Sequence, residues 1–111
     1  MTGLTPVQQE NLAYAMKNLE RRRLNHTIAC TNTKFARTYV DENLGLDSAL
    51  AFQARNFLRD GIGLVDLGGW LMDNGQMQEA IELMRYLRGF EELKEEAQAE
   101  LDYLKEEYGI Q

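Results

Sequence analysis

The chain has one proline, one cysteine, one histidine and one tryptophan in 111 residues, and each scarcity removes a class of protein. With Pro6 as the single proline, nothing later in the chain fixes φ or removes a helical N–H, so long helices are favoured. A lone Cys30 excludes an internal disulfide and fits a reducing compartment. One Cys and one His also fall short of the four ligands of a structural zinc site. No window reaches the roughly 18 uncharged apolar residues of a membrane span; the nearest, Ile62 to Met72, is interrupted by Asp66. No basic, apolar leader precedes the first helical pattern. The expectation is a cytoplasmic protein without a cofactor, in which the Asn25-His26-Thr27 triplet matches a glycosylation sequon by chance.

What is present is apolar spacing of the helical kind. Thr5-Pro6-Val7-Gln8 is a helix opening, with Thr5 as N-cap, Pro6 in the first turn and Gln8 three residues after the cap. Leu12, Ala15, Met16 and Leu19 then form a stripe, and a helix over about 6–24 would place Arg21, Arg22 and Arg23 at its negative dipole end. The pattern fades over 25–33, where loop, strand and continuing helix all fit; a break is favoured, with Asn32 or Thr33 capping a helix over 33–43. Asp47 or Ser48 caps the next, 48–60, whose stripe is Leu50, Ala51, Ala54, Phe57 and Leu58, with Phe52 at its edge. Asp60-Gly61 closes it.

The stretch from Leu64 to Leu87 organises the rest. Leu64, Leu67, Leu71 and Met72, with Trp70 beside them, make a broad apolar face over 63–73. Asp73-Asn74-Gly75 stops that helix, glycine being the residue that enters the left-handed region at least cost. Met77, Ala80, Ile81, Met84 and Leu87 repeat the spacing over 76–88. The set Leu67-Gly68, Leu71, Gly75, Ala80, Met84 and Leu87 resembles one tetratricopeptide repeat, in which small residues at the positions of Gly68, Gly75 and Ala80 let two helices approach closely. The resemblance implies an antiparallel helix hairpin. It departs from the family at Leu64, where an aromatic is commoner, at Glu92, where a proline often ends the repeat, and in lacking a second copy. No family binding residues carry over, because no neighbouring repeat exists to line a groove with them.

After Gly89 a last helix is expected over 90–108, with a seam of Phe90, Leu93, Ala97, Leu101, Leu104 and Tyr108 that suits packing within the domain or a dimer. Its charges oppose its own stability. Glu91 with Glu95, Glu92 with Glu96, and Glu96 with Glu100 are like-charged one turn apart, each costing a few tenths of a kcal/mol. Residues 1–60 carry eight Lys or Arg against six acids, whereas residues 61–111 carry four against twelve. So acidic an end repels nucleic acid and attracts basic surfaces. The Arg21-Arg22-Arg23 run points three ways round a helix and forms no reading head.

Catalytic readings are poor. His26 and Cys30 share a helical face, yet nothing nearby marks an orienting third group or an oxyanion site. The glycines Gly61, Gly63, Gly68 and Gly69 follow no strand and no Gly-Lys-Ser/Thr, so they make no phosphate loop.

The expectation is therefore an all-α, compact bundle of about five helices built round the hairpin and closed by the acidic helix. Its expected function is that of a non-enzymatic protein-binding module, an adaptor, assembly factor or inhibitor that meets a basic protein surface without touching membrane or nucleic acid. Trp70, Tyr86, Glu92, Glu95, Glu96, Glu100 and Glu107 are the candidate contact residues, the aromatics as anchors and the acids as steering charges. A homo-oligomer fits the same faces. The competing reading is a small acidic antagonist, of the sort viruses encode, that blocks a host nucleic-acid-binding site by imitating phosphate charge.

Overall fold

A computed structural model describes residues 3–110, and among these the chain forms five α-helices and no strand. They are α1 (Pro6–Thr31), α2 (Thr33–Asn43), α3 (Ala49–Phe57), α4 (Leu64–Asp73) and α5 (Met77–Glu107). No helix is long and apolar enough to cross a membrane among the described residues.

The caps account for most of the boundaries. Thr5 accepts from the Gln8 N–H at 3.1 Å while Gln8 Oε1 accepts from the Thr5 N–H at 3.0 Å, which opens α1 as a capping box. Asn32 Oδ1 accepts from the Phe35 N–H at 2.8 Å, and Ser48 Oγ from the Ala51 N–H at 3.0 Å. Gly75, at φ 75°, closes α4 as the sequence predicts.

Three boundaries differ from the sequence reading. The first helix does not stop at Leu24 but continues to Thr31, because Ala29 is fully buried and packing overrides the weak propensity of the Asn25–Thr31 residues. Arg21, Arg22 and Arg23 therefore lie inside α1 and not at its dipole end. The helix expected over 48–60 ends at Phe57, since the Leu58 and Arg59 carbonyls turn away to accept from Arg37 and from the Thr33 hydroxyl, both at 3.2 Å. Gly89 breaks nothing: the segments 76–88 and 90–108 are one helix of 31 residues. A mid-helix glycine costs about 1 kcal/mol, less than the continuous packing of α1 along α5 returns.

Two separate cores result. The larger joins Ala36, Tyr39 and Val40 of α2, Ala51 and Ala54 of α3 with Leu58, Leu64, Leu67 and Leu71 of α4, and Ala80 and Leu83 of α5. It makes a head. The smaller contains only Ala15, Leu19, Ala97 and Leu101, flanked by Leu12 and Leu104, where α1 and α5 run antiparallel without a third helix. It makes an arm. The arm is pinned at its tip by Asn11 donating to Tyr108 Oη at 3.1 Å and further in by Arg23 donating to Gln98 at 2.9 Å.

The molecule is consequently elongated, not the compact bundle expected from sequence. It measures 64 × 22 × 19 Å with a radius of gyration of 19.0 Å, against about 13 Å for a compact domain of similar length. Two helices of 26 and 31 residues, about 39 and 46 Å long, cannot be contained by partners of 9 to 11 residues.

Candidate protein-docking groove

The feature that sequence reasoning missed lies on the outer side of α4 and the first half of α5. Both helices carry two apolar stripes. The inner stripes, Leu64-Leu67-Leu71 and Ala80-Leu83-Leu87, face the head core. Met77, Ile81, Met84 and Met72, assigned to the buried faces by spacing alone, belong to the other pair of stripes. That pair points to solvent: Val65 is 55% exposed and Met72 47% on α4, with Met77 50%, Ile81 41% and Met84 57% on α5.

Between the stripes runs a groove of about 560 Å³, whose walls include Leu64, Val65, Met72, Leu83, Met84 and Leu87. Gly68 and Gly69 form part of its floor. A Cβ at Gly68 would stand 3.7 Å from Leu83, an ordinary contact, so the close approach expected there is not what requires glycine. The tight approach is at Gly63, the buried first cap of α4, where a Cβ would stand 2.5 Å from the Cys30 and Thr31 backbone. That contact fixes the end of α1 against the groove.

His26, Cys30, Arg88 and Glu91 close the groove at its α1 end. Cys30 Sγ lies 3.6 Å from His26 Nε2. Burial, and after it the Glu91 carboxylate, push the thiol above its ordinary range, while Lys94 pulls weakly the other way. A nucleophilic cysteine needs the opposite shift. Among the described residues no group of three or more His, Cys, Asp or Glu is placed to hold a metal ion.

The residues singled out by sequence occupy other surfaces. Trp70 is half-buried and stacks on Phe57 of α3, with centroids 5.5 Å apart. Tyr86 is 40% exposed but packs among Tyr39, Phe90 and Phe35 at 5.0, 5.3 and 6.4 Å. Burial and the Glu42 carboxylate raise the Tyr86 phenol; Tyr39 is raised by burial and by Glu82. Neither Trp70 nor Tyr86 lines the groove. Phe52, at the edge of its helix's apolar stripe by sequence, is exposed on α3.

The acids line the arm. Glu92 is held by Arg88 at 3.4 Å, and Glu91 lies 4.0 Å from the same side chain. Glu95, Glu96, Glu100 and Glu107 are exposed and make no ion pair among the described residues. The arm's seam also differs from the expected one: Leu93 is 40% exposed, and Lys94 takes the half-buried place towards α1. Other large apolar residues on the arm, Val7, Tyr14, Met16, Leu24 and Tyr103, are exposed singly and form no continuous stripe. The outer face of α4 and α5 gathers five exposed large apolar residues on two adjacent helices.

Comparison with protein-family models, with curated proteins and with solved structures finds no match to this chain. The class is set by the fold alone, an all-α protein with a helical head and a two-helix arm. The likeness of residues 64–87 to a tetratricopeptide repeat assigns no family.

Proposed function

We propose that the chain is a non-enzymatic protein-binding module that docks its partner on the outer apolar face of α4 and α5. The observation that carries this reading is the pair of stripes Val65 and Met72 on α4 and Met77, Ile81 and Met84 on α5, five large apolar residues exposed on two adjacent helices. Methionine suits such a face, because its unbranched, polarisable side chain adapts to a partner's shape. The glycine floor leaves room for an apolar side chain to enter between the helices. The raised Cys30 thiol weighs against a nucleophile at the groove's end. In this reading the α4 and α5 hairpin is the element that presents the site, and the acidic half of α5 steers a basic partner towards it.

The second reading, an acidic antagonist that imitates nucleic acid, is favoured by one observation. Glu96, Glu100 and Glu107 share one side of α5 away from α1, with Tyr103 exposed among them. Against it, α1 lays Lys17 and three arginines along the same arm, which dilutes the negative field.

Capture of partners separates the two. With Met72→Glu and Met84→Glu combined, the docking reading expects loss of the partner at low and high salt alike, while Glu95, Glu96, Glu100 and Glu107 changed to Gln only weakens capture. Loss in the glutamine variant and at high salt, with the methionine variant unaffected, would establish the mimic reading instead.

A further inference from the structure

The rims of the groove differ in sign. Beyond Gly69 on α4 the next residues round the helix are Asp66 and Asp73; beyond Ile81 on α5 they are Arg85 and, towards α1, Arg88. Gly68 sits against Leu83, so with antiparallel helices Asp66 and Arg85 stand at about the same level on opposite rims. Among the described residues neither makes a side-chain ion pair: Asp66 accepts from the Gly63 N–H at 3.5 Å, and Arg88 rather than Arg85 holds Glu91 and Glu92.

An apolar strip with an acidic rim and a basic rim at one level is complementary to itself. Rotation by 180° about an axis lying along the helices, in the plane of the face, sets α4 over α5, α5 over α4 and Asp66 over Arg85 twice. Rotation about the perpendicular in-plane axis would set acid on acid and base on base. We infer that the partner on this face is a second copy of the chain, joined in an isologous dimer whose two-fold axis runs along α4 and α5. The inference rests on the docking reading for its face and replaces the basic partner by a second copy. That copy carries the same net charge of −6 and is held by the paired rims without steering by the acidic half of α5. The dimer is a four-helix layer, two helices from each copy, with Val65, Met72, Ile81 and Met84 at its centre and the arms projecting outside it. The inner stripes remain committed to each head, so no domain swap is needed.

The test is sedimentation equilibrium of the purified full chain across the micromolar range, with four variants checked for wild-type helicity by circular dichroism. Wild type is expected to dimerise. Met84→Glu abolishes the dimer. Asp66→Arg and Arg85→Asp each weaken it at least about tenfold by setting like charges together, and the chain carrying both changes regains it, as does an equal mixture of the two single variants. That rescue, which relaxation of α4 after loss of the Asp66 cap cannot produce, distinguishes pairing from folding. A wild type that stays monomeric overturns the dimer while leaving the docking reading to stand or fall on captured partners. A dimer that survives Met84→Glu, or that the double variant does not restore, overturns the proposed face or its axis.

Discussion

The head and the arm use the same two long helices under different conditions. In the head, α5 is packed by α4 and supports a core of eleven buried residues; in the arm it meets α1 alone, and four residues are buried. Between the two cores the seam positions are Arg22 and His26 on α1 and Lys94 on α5, all half-buried and polar, so apolar packing is interrupted just beyond the start of α4, which packs on the end of α1. One helix is thus held by a tertiary core at one end and by a narrow pairing at the other. Local stability should fall along α5 from its N-terminal half to its C-terminal half.

Substitutions can break this contrast, and one of them acts at the joint itself. Gly63→Ala drives a Cβ into the Cys30 and Thr31 backbone, which cannot swing aside as a side chain can. It is expected to cost about 1–3 kcal/mol or more and to loosen α1 from α4, read as a lower urea midpoint and lost amide protection at both ends. Deleting core leucines sharpens the comparison. Leu83→Ala, fully buried in the head, should cost about 3–5 kcal/mol, whereas Leu101→Ala in the arm should cost about 2 kcal/mol because the narrow seam collapses into the space. Equal costs would show that head and arm form one cooperative unit.

A smaller effect is expected with pH. Cys30, Tyr39 and Tyr86 hold their protons more tightly in the fold than when exposed, so their contribution is complete below the ordinary values of 9.0 and 10.0 and is lost as pH rises through the raised ones. The melting temperature should decline above about pH 9, and Cys30→Ala should remove the earliest part of that decline. The smallest effect has the opposite sign. Gly89→Ala meets nothing within 4 Å in mid-helix and should stabilise by about 0.5–1 kcal/mol, by calorimetry.

The sequence was most legible where local chemistry decides. The Thr5 and Gln8 box, the Asn32 and Ser48 caps and the Gly75 stop are interactions within a few residues, and each stands where its residues place it. The continuation of α1 through Thr31 and of α5 through Gly89 depends on neighbours distant in sequence, which spacing does not report. The candidate surface was hidden for a related reason. Met72 fits the stripe of α4, and Met77, Ile81 and Met84 that of α5; only the burial of Ala80 and Leu83, with Leu87 packed against them, shows that the inner face of α5 was already full. The available signal was an excess: residues 64–87 hold more large apolar side chains than one buried stripe per helix can use. Trp70 and Tyr86 drew attention by type, and both are engaged with α3 and α2 aromatics.

The most direct test of the central claim, that α4 and α5 and not the acidic arm make the contact, is photo-crosslinking from single positions. A photoreactive residue replaces Met84 in one chain and Glu100 in another, and each is irradiated both purified and in lysate of the source cell. Covalent adducts from position 84, to a second copy or to another protein, with none from position 100, are the predicted result. Adducts from position 100 with none from position 84 would contradict it and move the site to the arm.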